Sequence, residues 1–397
     1  MGHTYDVAVI GGGVIGLSVA RALLQQNKNL KLAILEKEMK LGAHASGRNS
    51  GVLHAGFYYS PDSLKAKFCL EGNIQLTELA ARHKIPVRRV GKVVVARNQS
   101  ESERIDSLFQ RGITNGVKLE LLPSNQLPKF EPLAKTFDKF LWSPNTAVSD
   151  PSRVIEALAT EVKELGGCFF LGSKVKIDAQ QRLFLNEELF KTNYVVNCSG
   201  SGADRIAHDF NVGKEFSMVP FLGVYRYVSE EKLPLKTLVY PVPHPLNPFL
   251  GVHFTLTSDY KVKIGPSAIP VLGREQYKIW NKFKLRDGLD TSLGLFSLLK
   301  GEHHNVPEII KTEVPKFLTS TLIRESSELV PSVIEVKGWK KKPPGIRSQL
   351  VNLQTGKLEQ DFLVLDGDRS THVLNAVSPG WTSCIPFGKW IAEGLNI

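Results

Sequence analysis

The stretch at residues 5–26, YDVAVIGGGVIGLSVARALLQQ, opens with a short β-branched apolar run and tightens into a glycine cluster. It continues with apolar residues at helical spacing: Val14, Leu17, Ala20, Leu23 and Leu24. This is the pattern of a strand, a tight turn and a helix. Gly11, Gly13 and Gly16 form G-x-G-x-x-G between that strand and that helix. Small residues there permit the turn, let backbone approach a pyrophosphate and pack helix on sheet, while the positive helix end faces the anion. Val14 and Ile15, opening the helix, belong to the same candidate cradle. A second apolar run, LKLAILEKE, leads to Glu36, 20 residues beyond Gly16, where an acid can accept hydrogen bonds from ribose hydroxyls, with Lys37 beside it.

Outward from that turn, 397 residues exceed what one ordinary core holds and predict two domains built from interleaved segments. Apolar and charged contents of 42% and 22% are those of a globular chain. A net charge of +11 would draw a carboxylate or phosphate substrate, an anionic membrane surface or nucleic acid. No basic block is interleaved with aromatics as in a nucleic-acid groove, so no nucleic-acid partner is expected. The run KGWKKKPPG at 337–345 reads as a solvated turn or as a membrane-surface contact. Cys69, Cys168, Cys198 and Cys384 form no CxxC pair, so neither a metal site nor a disulfide framework is signalled. With no signal peptide and no apolar run long enough to span a bilayer, the expected location is cytoplasmic, with a peripheral position at the inner face of the cell membrane as an option.

Residues 84–147 change to short alternating runs such as GKVVVARN, polar helices and proline-marked turns. DPSRVIEALATEVKELGG, CFFLGSKVKIDA and YVVNCSGSGAD then resume the first pattern. From Phe216 to Trp339 strand-like stretches mix with helical patterns and prolines, and THVLNAVSPGWTSCIPFGKWIAEGL closes as strand, glycine turn and helix. The expected fold is α/β, or α+β overall. A Rossmann-like nucleotide-binding domain from 1–83, 148–214 and 339–397 is interleaved with a mixed-sheet substrate domain from 84–147 and 215–338.

NAD and FAD share the glycine cradle. An NAD site is usually completed within one contiguous domain, whereas three distant segments here look fitted to one ligand: SGRNSGVLHAGFYY (46–59), VVNCSGSGAD (195–204) and SPGWTSCIPFG (378–388). That distribution suits the long, extended FAD. With YPVPHPLNPFLGVHFT, IGPSAIPVLGREQY and PPGIRSQLV added, nearly the whole chain resembles the FAD-dependent oxidoreductases of the D-amino-acid oxidase superfamily. Within it, the chain resembles the L-2-hydroxyglutarate dehydrogenases and oxidases.

The resemblance implies that Ser46, Arg48, Asn49, Ser50 and Gly51 run beside the ribityl chain and flavin ring, with His54 near the ring. It places Ser199 and Gly200 at a second dinucleotide-side turn, and reads Cys198, where the family often has alanine, as a small core side chain. In the closing motif, Pro379, Gly380, Trp381 and Thr382 lead into a helix whose free N–H groups can face N1 and the C2 carbonyl of the flavin. Arg347, after a proline-glycine turn, has a guanidinium suited to grip a carboxylate through two parallel bonds, and the resemblance favours that role over a surface salt bridge. Arg274 is a candidate for a second carboxylate or for pairing with Glu275, and Tyr59 joins the substrate-side set. His54 and His253 are candidate bases, each also readable as a satisfied structural histidine, and His54 and Cys69 are the places to look for covalent flavin attachment.

The activity implied is FAD-dependent oxidation of L-2-hydroxyglutarate, or a related L-2-hydroxy acid, to 2-oxoglutarate. Hydride would pass to flavin N5 and the electrons to a quinone, a flavoprotein or oxygen. Two alternatives stay open. One is an amine oxidase of the same superfamily acting on glycine, sarcosine or a D-amino acid, with glycerol 3-phosphate oxidation more remote; the other is a non-catalytic flavin-binding protein that interacts with RNA.

Overall fold

The computed structural model describes residues 4–244, 249–278, 284–301, 306–395 and 397; residues 245–248 of the YPVPHPLNPFLGVHFT motif lie outside them. A six-stranded sheet runs Leu363–Gly367, Ser370–Asn375, Thr192–Asn197, Tyr5–Ile10, Leu32–Leu35 and Cys168–Phe170 in spatial order. All neighbours are parallel except the first pair. Val7, Val9, Leu32 and Ile34 face the helices Val14–Gln26, Leu64–Arg82, Pro151–Glu164 and Cys384–Gly394. Their neighbours Ala8, Ile10, Ala33 and Leu35 face a small three-stranded sheet of residues 175–190. Burial on both faces explains why these strands read as unbroken apolar runs rather than as alternating ones. Each fully buried Leu or Ile here contributes roughly 1.5–3 kcal/mol.

The glycine turn is built as its spacing requires. Gly11 sits at φ +111°, where a Cβ would meet the carbonyl oxygen of Cys198, and a Cβ at Gly16 would strike the carbonyl of Gly11. The helix that follows has no side-chain cap and no acid in its first turn, so its positive end stays available to an anion.

Opposite stands an eight-stranded sheet in the order Lys340–Lys341, Arg226–Ser229, Lys261–Gly265, His253–Leu256, Leu238–Pro241, Lys92–Val95, Lys139–Ser143 and Glu120–Pro123. A four-stranded sheet, Ile269–Pro270, Phe216–Gly223, Gly345–Asn352 and Lys357–Leu358, lies with it. The return to the nucleotide-side sheet therefore begins at Leu363 and not at residue 339. Gly345–Asn352 pairs along its whole length with Phe216–Gly223, and that long-range pairing keeps it on the substrate side. Among the described residues no helix is long and apolar enough to cross a membrane.

Candidate active site

Between these sheets lies a cavity with about 1440 Å³ of empty space, its open mouth included. The glycine turn contributes Gly13, Val14 and Ile15, the segment after the second strand contributes Ser46, Arg48, Asn49, Ser50 and His54, and the closing turn contributes Pro379 through Thr382. Gly200 and Arg347 complete the predicted set on its wall. Segments more than 300 residues apart in sequence thus share one surface, which is what an extended dinucleotide needs.

On the cofactor side, Glu36 is buried at the strand end and accepts the backbone N–H of Gly12 at 2.8 Å and of Glu38 at 2.9 Å. Those bonds fix the carboxylate beside the turn and leave it lone pairs for ribose hydroxyls. Ser46 Oγ accepts the N–H of Val14 at 3.1 Å, tying the second segment to the start of the helix. Asn49 spends its amide on the loop itself, donating to Ser46 O at 2.6 Å and accepting from Gly51 N at 2.8 Å. Arg48 donates to Ala43 O at 2.8 Å and lies 4.1 Å over the Tyr277 ring. Both side chains shape the loop, so what the segment offers a ligand is mostly backbone. Thr382 Oγ donates to Val52 O at 3.1 Å and accepts from His54 N at 3.2 Å, clamping this loop to the closing turn. Trp381 Nε1 in that turn is buried without a partner, a donor left for a ligand atom.

On the substrate side, Arg347 projects from the strand Gly345–Asn352 into the cavity and makes no ion pair among the described residues. His54 Nδ1 is buried without a partner. Burial, with the charge of Lys92 adding to it, holds the His54 imidazole well below its usual range, so the ring is neutral and able to take a proton. His253 lies behind it, stacked on Tyr240 at 4.0 Å between centroids. Its Nδ1 is 2.8 Å from the Gly251 carbonyl, so that nitrogen carries the proton and Nε2 the lone pair. Burial pushes this histidine down to about 3.

A fitted cradle, a neutral histidine and an arginine without an ion pair thus share one cavity. The model of the FAD dependent oxidoreductase family matches residues 6–394. This chain belongs to that family. Among curated relatives, it is 35% identical over 98% of both chains to L-2-hydroxyglutarate dehydrogenase of Indibacter alkaliphilus. It is 34% identical to the human mitochondrial enzyme of the same name, over 99% of this chain and 89% of that protein. The chain is therefore a member of the L-2-hydroxyglutarate dehydrogenase family, an enzyme with FAD as cofactor. Its fold is also that of L-alpha-glycerophosphate oxidase from Mycoplasma pneumoniae with FAD bound, with a TM-score of 0.76 at 21% identity, covering 100% of this chain and 96% of that one. Glycine oxidase from Geobacillus kaustophilus gives a TM-score of 0.73 at 19% identity over 99% and 94% of the two chains.

In this FAD oxidoreductase several expected contacts sit elsewhere. Gly11, Gly16, Gly51 and Ser199 shape the backbone behind the wall; Ser199 Oγ donates to Asn197 Oδ1 at 2.7 Å. Lys37 pairs with Glu275 at the rim, where Glu38, His44 and Glu275 also gather within 4.8 Å, so the lysine occupies what would otherwise resemble a cation site. Tyr59 stands behind Ser378, with its hydroxyl against that side chain. Cys69 is buried, its thiol pushed up to about 12 by that burial, and its Sγ lies 3.6 Å from the His54 carbonyl rather than on the cavity wall.

Arg274 requires correction. It is neither a substrate ligand nor a partner of Glu275: its guanidinium is buried against the Asp204 carboxylate in a two-point pair and donates to Ser201 O at 2.8 Å. Arg274→Ala would leave the Asp204 charge uncompensated, and a stability loss of about 3–5 kcal/mol is expected in urea unfolding. The affinity of the surviving folded fraction for substrate should stay close to that of the wild type.

Two buried lysines near the site escaped the sequence reading. Lys92 is fully buried on its strand, its ammonium unpartnered and held 4.5–4.9 Å from the rings of Phe57, Tyr58 and Tyr240. Burial lowers it to about 7. Lys263, also buried, donates to Ser50 O at 3.0 Å and pins the cofactor-side loop from the substrate sheet. Their one signal was a lysine within an apolar strand run, GKVVV and YKVKIG.

Proposed function

We propose that the enzyme oxidises L-2-hydroxyglutarate to 2-oxoglutarate. The observation that carries this is the unpaired Arg347 guanidinium on the same cavity as the neutral imidazole of His54. Arg347 holds the α-carboxylate, and His54 takes the hydroxyl proton. Bound FAD supplies the two-electron acceptor for the hydride on the α-carbon. The glycine turn, Glu36, Ser46 and the closing turn through Trp381 hold that cofactor. A histidine base suits a hydroxy acid, because an amine substrate loses hydride from its neutral form without one.

The electrons leave to a quinone, a flavoprotein or oxygen, with the protein held peripherally at the inner face of the cell membrane. The test is an anaerobic absorbance titration with L-2-hydroxyglutarate, D-2-hydroxyglutarate, glycine and sarcosine. Bleaching of the flavin band by the L-hydroxy acid alone is expected; bleaching by an amine would replace the reading with the amine-oxidase one.

A further inference from the structure

The helix Leu285–Lys300 is apolar on two opposite stripes. Gly288, Thr291, Gly294 and Leu298 pack inward, Gly294 against Val219. The outward stripe consists of Leu285, Leu289, Leu293 and Phe296, exposed by 76%, 60%, 60% and 55%. A helix apolar on both sides belongs between two apolar media, and the outward stripe is exposed among the described residues. Nearby along the chain, Val314, Phe317 and Leu318 are exposed as well.

The charges around this face are sorted by sign. Asp287 and Asp290 turn inward to Arg205 at 2.6 and 2.5 Å, and Glu313 to Lys316 at 2.6 Å. Lys284, Lys300 and Lys311 are exposed, and among the described residues of these segments Glu308 is the exposed acid. Arg226 pairs through its backbone with Lys341 and donates through its side chain to Phe317 O at 2.9 Å, which sets the exposed Lys340–Lys341 strand beside the Phe317–Leu318 turn.

We propose that this face docks on an anionic lipid surface, with the outward stripe of the helix at headgroup depth and Lys300, Lys340 and Lys341 on the headgroups. A second copy of the chain fits less well, because an isologous contact would set this cationic fringe against itself. The proposal names the surface for the membrane position given above and is read without turnover.

The test is co-sedimentation of the FAD-loaded protein with vesicles of phosphatidylcholine, with and without phosphatidylglycerol. Binding to the anionic vesicles alone, weakened by salt, is expected. The double variant Leu289→Glu/Leu293→Glu and the variant Lys340→Glu/Lys341→Glu should each lose about tenfold or more of that binding. Both should keep wild-type flavin content and substrate-induced bleaching, since these residues lie off the cavity. Wild-type binding by the leucine variant would overturn the assignment of this face while sparing the membrane position. Absence of binding by the wild type would remove both, and a wild-type dimer split by the leucine variant would assign the face to a second copy.

Discussion

Arg347→Ala should lower kcat/KM for L-2-hydroxyglutarate by roughly 100- to 1000-fold, about 3–4 kcal/mol, the range for truncating one partner of a desolvated charge-assisted pair. The loss should appear largely as a raised KM, because the carboxylate is held in ground and transition states alike. Flavin content and thermal unfolding should be little changed. Arg347 makes no ion pair within the described protein, so its removal leaves no buried carboxylate behind. Arg347→Lys should recover only part of the activity, since an ammonium is a point charge without the planar fork. Steady-state kinetics on the three proteins decide it: an alanine variant with unaltered KM and kcat would place the carboxylate elsewhere.

His54→Asn should slow flavin reduction in single-turnover experiments by about 10²–10⁴-fold, the usual worth of a positioned general base. The equivalent change at His253, which lies behind the wall, should cost less. The pH dependence carries a sign that a structural role would not reproduce. His54 is held well below the ordinary histidine range, first by burial and then by Lys92, so activity should persist into acid and fall only below that range. Below about pH 7 Lys92 carries its charge. Lys92→Met removes that charge, and the acid limb of kcat/KM should move to higher pH. Stability shares the same linkage. A histidine depressed in the fold is protonated first in the unfolded chain, so stability falls as pH drops below about 6.5 and continues to fall toward the folded value of about 3 at His253.

The glycine turn was legible because its demands are local. Gly11 and Gly16 answer to backbone atoms a few residues away or on the adjoining strand, and the strand flanking them is apolar from Val7 to Ile10 because both its faces are covered there. The closing turn through Thr382 was legible through its motif alone, since its clamp to Val52 and His54 spans more than 300 residues. What the sequence hid are the assignments settled by partners far along the chain. Arg274 looks free in GREQY, yet Asp204, 70 residues earlier, holds it. Arg48 and Asn49 are the local exception: they read as ligand contacts, yet each donates to a carbonyl of its own loop, Ala43 and Ser46. The lysine run at 340 looked like the start of a return to the first sheet, whereas Gly345–Asn352 finds its partner in Phe216–Gly223. Lys92 carries no local mark beyond its charge, since its aromatic cage comes from two distant places in the chain, Phe57–Tyr58 and Tyr240.

The order of strands in the six-stranded sheet has a consequence for how the protein comes into being. Ser370–Asn375 pairs with Thr192–Asn197, and residues 376–382 finish the cavity wall. Those residues leave the ribosome after every other segment of the wall, so a nascent chain that lacks them holds an incomplete flavin cradle. Until they emerge the Thr192–Asn197 strand presents an open apolar edge. Flavin scarcity would then leave apoprotein whose wall is already translated as the species that chaperones and proteases meet.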